Sequence, residues 1–183
     1  VDVKYVEQDI YVFDFGQNIS GWTRLRVHGP KGAQVKLTHA TAVYDDGTLD
    51  PRSSAWISPA DTQLHCARQT DTYILKGEGV EMWEPSFTLH GFRYVEVTGF
   101  PGTPTLDDLE ARFVRSAVEP TGHFDCSNPL LNQIHQSVCR TFLACLQSMP
   151  QSCIDRSERT AWLGDPGFIA EDYIYNFDMA GFW

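Results

Sequence analysis

Glu119-Pro120-Thr121-Gly122-His123-Phe124-Asp125-Cys126-Ser127-Asn128-Pro129 is the stretch on which the reading of this chain turns. Upstream of it the apolar residues recur every second position; downstream they recur every third or fourth. Pro120 and Gly122 break regular structure between the two patterns. Asn128 can cap a helix with its side-chain oxygen, and Pro129 fits the first helical position, where the missing N–H is no loss.

Working back from this junction, residues 1 to about 115 read as strands. Ile10–Phe15, Thr23–Val27, Gln34–Thr38, Thr72–Leu75 and Tyr94–Val97 alternate or run apolar over strand lengths. Turn signals separate them: Gly16-Gln17-Asn18, Gly29-Pro30-Lys31-Gly32, Asp45-Asp46-Gly47 and Gly99-Phe100-Pro101-Gly102. Many short strands between Gly/Pro turns predict an all-β antiparallel sandwich rather than a βαβ array. Working forward, Leu131, Ile134, Val138, Phe142 and Cys145 form one helical stripe that runs to about Ser148 and is stopped by Pro150. A second helix is predicted from the cap-then-proline pair Asp165-Pro166, over about 166–177, carrying Phe168, Ile169, Tyr173 and Phe177. Between the helices lies a polar loop, Gln151 to Gly164. Two readings of it stay open, a solvated connection or an acidic site. Two amphipathic helices cannot bury both stripes alone, so further partners are expected.

Composition narrows the function classes. The 183 residues hold 14 Lys and Arg against 24 Asp and Glu, a net charge of −10. Such a surface is repelled by phosphate backbones and anionic lipid, which disfavours nucleic acid and membrane as partners. No apolar run approaches the ~18 residues of a membrane span. Aromatics make up 13% of the chain, a mild pointer to a sugar-binding surface. The five cysteines, Cys66, Cys126, Cys139, Cys145 and Cys153, include no Cys-x-x-Cys pair, so unpaired thiols and no metal site are expected. Nothing in the chain asks for a cofactor. The first residue is Val1, so either a leader has been removed or the chain belongs to something longer. Cytoplasmic, periplasmic and secreted locations all stay open.

Five motifs in order carry a family resemblance. They are Asp14-Phe15-Gly16-Gln17-Asn18-Ile19-Ser20-Gly21-Trp22, Asp45-Asp46-Gly47, Phe87-Thr88-Leu89-His90-Gly91-Phe92-Arg93-Tyr94-Val95, Thr121–Asn128, and Cys153-Ile154-Asp155-Arg156-Ser157-Glu158-Arg159-Thr160-Ala161-Trp162-Leu163-Gly164-Asp165. Together they resemble the bacterial α-L-rhamnosidases of glycoside hydrolase family 78. The resemblance implies a β-sandwich domain over 1–117, a linker over 118–128, and over 129–183 the first hairpin of a six-hairpin (α/α)6 catalytic domain. It implies inverting hydrolysis of terminal α-L-rhamnose from glycosides or polysaccharides, with the remainder of the barrel as a partner. Glu158 matches the general acid and Asp165 a sugar-binding carboxylate. Arg156, Arg159 and Trp162 match positions that shape the pocket, and the general base matches nothing in this chain. Two positions depart from the pattern. Ser152 stands where many members carry Asp, which raises Asp155 as a substitute sugar ligand, and Cys153-Ile154 replaces a common Cys-Pro.

Residue chemistry agrees in kind. Glycoside hydrolysis needs one carboxylic acid to protonate the leaving oxygen and a second carboxylate to activate water. Glu158 is flanked by Arg156 and Arg159, so a plain surface ion pair is its competing role; for Asp165 the competing role is a helix cap. His90 reads as a structural or interface residue of the sandwich, Trp22 and Trp83 as core residues rather than sugar platforms, and Trp56 as a solvent-facing aromatic of a long loop. Asp45-Asp46-Gly47 reads as a tight turn rather than a calcium loop. A carbohydrate- or protein-binding module with a helical appendage, or an assembly fragment, is the alternative to an enzyme.

Overall fold

The computed structural model describes residues 1–7, 9–58, 60, 62–156, 160–162 and 164–183. In chain order the strands are β1 (Asp2–Glu7), β2 (Ile10–His28), β3 (Gln34–Ala40), β4 (Ala55–Ile57), β5 (Leu64–Cys66), β6 (Thr70–Ile74), β7 (Val80–Trp83), β8 (His90–Thr98) and β9 (Leu109–Phe113). Helix α1 (Pro129–Cys145), the short strands β10 (Leu146–Gln147) and β11 (Met149–Pro150), and helix α2 (Gly164–Asn176) follow. The chain forms two compact units. The first holds Val1–Phe113 with loop residues from Asp155; the second holds Val114–Ile154 and the chain beyond the loop to Trp183.

The first unit is an antiparallel sandwich organised on β2. The N-terminal half of β2 lies between β1 and β8, in the order β1-β2-β8-β3-β6. Its C-terminal half lies between β9 and β7. Inward residues from both halves, Phe13, Ile19, Leu25 and Val27, meet Val35, Leu37, Phe92, Val95, Val97 and Leu109 in one core. Each such side chain contributes roughly 1.5–3 kcal/mol by leaving water. The predicted strands Ile10–Phe15 and Thr23–Val27 are therefore parts of one element. The expected turn at Gly16-Gln17-Asn18 is instead a bulge, where the register slips between Asp14 and Ile19. Gly16 takes φ +76°, and its N–H donates to Asp14 Oδ1 at 2.7 Å. The same residues that could close a hairpin here bend a continuous strand. Asp45-Asp46-Gly47 does form the expected tight turn, with Gly47 N–H donating to Tyr44 O and Thr48 N–H to Asp46 Oδ1.

In the second unit Asn128 Oδ1 accepts from Leu130 N–H at 3.0 Å, with Pro129 in the first turn, the predicted cap. Phe142 and Tyr173, ring centroids 4.3 Å apart, centre a cluster with Val118, Leu146, Phe177 and Met179. His135 Nε2 and Asn176 Oδ1, 2.8 Å apart, add a polar tie between the helices. Three expectations need correction. Helix α1 ends at Cys145 rather than near Ser148. There Leu146 O accepts from Ser116 N–H, Ser148 takes φ 65°, and a β10-β11 hairpin forms. Helix α2 begins at Gly164, which puts Asp165 and Pro166 inside its first turn rather than at the cap. Phe168 is 91% exposed and lies off the buried stripe, while Tyr173 and Phe177 are buried. The helical period decides this, since Phe168 falls between the positions that face α1.

Candidate active site

The acidic loop starts from a firm base. Gln151 N–H donates to Cys145 O at 2.8 Å, and Ile154 is buried with Ala144 and Cys145 of α1. Ser152 then reaches the far end of the loop. Its N–H and its hydroxyl both point at Thr160 O, at 3.4 and 3.2 Å, and Trp162 N–H donates to the same carbonyl at 3.1 Å. Of the residues singled out in the sequence, Asp155 is half-buried and Arg156 exposed. Trp162 is 50% exposed, and Asp165 is exposed in the first turn of α2, where the helix dipole favours a carboxylate. Glu158 and Arg159 lie outside the described residues.

On the sandwich, the quoted motif residues have structural work. Arg93 Nε and Nη2 donate to the two oxygens of Asp14, each at 2.7 Å, and hold its carboxyl below the usual range. That pair ties the bulge of β2 to β8. His90, 4% exposed, binds Asp71 Oδ2 through Nε2 at 2.9 Å, the structural role expected of it. Trp83 stacks on Tyr73 beside the core. Trp22 differs from expectation. It is on the outer face of β2, and its Nε1–H donates to Glu84 Oε2 at 2.8 Å. Trp56 also differs, because it belongs to the β4-β5 hairpin opposite His65 instead of a loop.

Sequence reading missed a buried polar cluster. His39 Nδ1 lies 3.2 Å from Gln69 O and Nε2 3.3 Å from Thr23 Oγ1. A carbonyl only accepts, so Nδ1 carries the proton and Nε2 accepts from Thr23. Gln69 in turn bridges to Gly91, accepting from its N–H at 2.8 Å. His39, Asp71 and His90 offer three metal-type donors within 4.8 Å of one another. The imidazole rings, however, stack with centroids 4.2 Å apart and planes only 20° apart. Their in-plane lone pairs run side by side and do not converge, so the arrangement does not fit a shared ion. Isolated histidines far apart in sequence left no signal for this cluster. None of the five cysteines, all among the described residues, is in a disulfide.

The chain thus carries a β-sandwich followed by a helical hairpin. The comparisons make this specific. The bacterial alpha-L-rhamnosidase concanavalin-like domain matches residues 4–115, and the bacterial alpha-L-rhamnosidase 6 hairpin glycosidase domain matches residues 119–183. The chain belongs to the bacterial α-L-rhamnosidase family. It is 39% identical over 173 residues to an alpha-L-rhamnosidase of Streptomyces avermitilis, covering 94% of this chain and 16% of that protein. A second alpha-L-rhamnosidase, from Formosa agariphila, is 34% identical over 174 residues, covering 94% of this chain and 18% of that protein. The alpha-L-rhamnosidase structure from Dictyoglumus thermophilum superposes with a TM-score of 0.91 at 44% identity, over all of this chain and 20% of that one. The Streptomyces avermitilis enzyme complexed with L-rhamnose gives 0.87 at 37% identity, over 98% of this chain and 16% of that one. The chain thus spans about a fifth or less of the length of these relatives.

Proposed function

We propose that this chain is the sandwich and first helical hairpin of an inverting glycoside hydrolase that releases terminal α-L-rhamnose from glycosides. The observation that carries the reading is the match to two rhamnosidase domains in one order over nearly the whole chain. The sandwich spans 1–117, a linker 118–128 and the start of the catalytic domain 129–183. Glu158 is the general acid. Its carboxyl proton passes to the glycosidic oxygen as the bond from that oxygen to the anomeric carbon breaks. Water attacks the opposite face of the sugar and loses its proton to a carboxylate supplied from outside this chain, which inverts the configuration. Asp155, Arg156, Arg159, Trp162 and Asp165 hold the sugar. A rhamnosylated glycoside or polysaccharide and the rest of the barrel are the partners. Among the described residues no helix is long and apolar enough to cross a membrane.

The test is Glu158→Gln in the complete protein, which removes the acidic proton at constant size. A rhamnosyl disaccharide leaves as an alkoxide and should lose ~10²–10⁴-fold in kcat. An aryl rhamnoside, whose phenolate is stable without protonation, should lose far less. The alkaline limb of the pH profile should flatten as well, since it reports loss of that proton. Equal losses on the two substrates would remove Glu158 from the acid role.

A further inference from the structure

We infer that a notch in the edge of the sandwich, beside the β2 bulge, is a second sugar site that takes an L-rhamnosyl unit without any residue of the acidic loop. The choice of sugar rests on the function proposed above, and the site on the geometry of the first unit alone. Asp14 of β2 pairs with Asp2 of β1 and Tyr94 of β8, and Gly21 of β2 pairs with Phe113 of β9 and His90 of β8. β1 and β9 therefore share the edge of β2 opposite β8. Between them, among the described residues, no strand lies along Phe15–Ile19 on that edge. The break in the ladder leaves a groove of about 650 Å³, within the ~300–1,000 Å³ usual for small-molecule sites.

The groove is amphipathic. Phe15, Leu109 and Phe113 line it with apolar surface, and Gln17, Asp107 and Glu110 with polar groups. The bulge assembles the two kinds. Phe15 is pinned from the core, stacked on Phe13 and edge-on to Phe92, with ring centroids 6.4 and 6.0 Å away. Gly16 then turns the chain at φ +76°, its N–H held by the Asp14 carboxylate that Arg93 clamps through two bonds of 2.7 Å. Gln17 is thereby presented at the surface beside an aromatic ring fixed by the core. Bulges re-aim side chains in this way at functional edges.

Charge and shape narrow the ligand. Arg112, and after it Arg24, hold Glu110 ionised and offset its charge. Asp107 is exposed in the single-turn helix Leu106–Asp108. A carboxylate or phosphate ligand would be repelled by these two acids. Acceptors on one side suit a row of hydroxyl donors, and the phenylalanines suit a C–H face; a neutral sugar offers both. An L-rhamnosyl unit adds a methyl where most hexoses carry a hydroxymethyl group, which matches the apolar lining.

The test follows the methyl NMR signals of Ile19, Leu106 and Leu109, which also line the groove, in the complete protein as L-rhamnose is added. A saturable shift at these methyls is expected. Gln17→Ala with Asp107→Ala removes two hydrogen-bonding groups and should weaken binding there about tenfold at an unchanged Tm. Phe113→Ala, on the apolar side, should weaken it independently. L-Mannose, which differs only by a hydroxyl on the sixth carbon, should bind more weakly. Silent methyls overturn the inference, as do shifts that all these variants leave intact, or L-mannose binding as tightly as L-rhamnose. Contacts from these methyls to protein outside residues 1–183 that L-rhamnose does not displace would show a groove filled by protein, and overturn it too. Hydrolysis of an aryl rhamnoside is measured alongside. Hydrolysis with silent methyls sinks the groove alone, whereas saturable shifts in a protein that hydrolyses no rhamnoside sink the catalytic reading and leave the groove.

Discussion

His39 is the residue whose environment departs furthest from water. It is 3% exposed, stacked on His90, edge-on to Phe92, and bonded at both ring nitrogens. Burial first, and the neighbouring His90 second, push its pKa down to about 3, against an opposing pull from Asp71. The unfolded chain, with a histidine near 6.5, therefore binds the proton more readily than the folded one. Stability from this group is full above pH 6.5 and is lost as pH falls from there toward 3. Glu81 adds a second acid limb. The Tyr73 hydroxyl at 2.6 Å, together with the Lys76 and Gly77 N–H groups, holds its pKa down to about 2. Its contribution is present above pH 4.5 and is lost toward 2. Hydrogen exchange at Val95 and Val97 should thus accelerate in two stages as pH is lowered, after correction for intrinsic exchange. His39→Gln should remove the first stage and leave the second. An unchanged first stage would show that His39 does not titrate on unfolding.

At the scale of elements, the junction between sandwich and helices is fixed by backbone approach as much as by capping. The Thr121 and Gly122 N–H groups both donate to Asn176 O, at 3.0 and 3.1 Å, and Pro120 bridges to Phe177. A Cβ on Gly122 would stand 1.9 Å from Tyr175 O, a backbone atom that cannot rotate away. Gly122→Ala should therefore destabilise the helical unit by about 1–3 kcal/mol, as overpacking typically does. Asn128→Ala should cost about 1 kcal/mol by orphaning the Leu130 N–H. Chemical denaturation followed by far-UV circular dichroism checks both, and the glycine variant should be the less stable of the two. The cap was legible because it depends on two adjacent residues. The need for glycine was not, because the obstructing carbonyl lies more than fifty residues along the chain.

For the whole molecule, the helices present apolar side chains that this chain does not cover. Leu131, Ile134 and Val138 on α1 are 48%, 50% and 40% exposed, and Tyr175 on α2 is 69% exposed. Such a surface favours association. The chain by itself is expected to bind an apolar dye and to self-associate, and Ile134→Glu with Val138→Glu should reduce both, as read by fluorescence and by sedimentation. It should also hydrolyse no aryl rhamnoside at a useful rate, because forgoing a positioned base alone costs ~10²–10⁴-fold. Turnover by purified monomer would contradict the assignment of the base to another segment.

The sequence alone determined what rests on local periodicity and neighbouring residues. That covers the strand-rich first half, the switch near Pro120, the Asn128 cap, the two helices and the tight turn at Asp45-Asp46-Gly47. The ordered motifs determined the family. Tertiary structure decided what depends on groups far apart in the chain. Gly16-Gln17-Asn18 bends a strand instead of closing a turn because β8 resumes its pairing with β2 at Ile19. Helix α1 gives way after Cys145 to the β10-β11 hairpin, where Ser116 N–H donates to the Leu146 carbonyl. The Ser152 hydroxyl donates to Thr160 O, eight residues on, because the fold brings the two within 3.2 Å. Hydrogen bonds of this kind join partners that no window of sequence holds together, and only the folded chain selects among them.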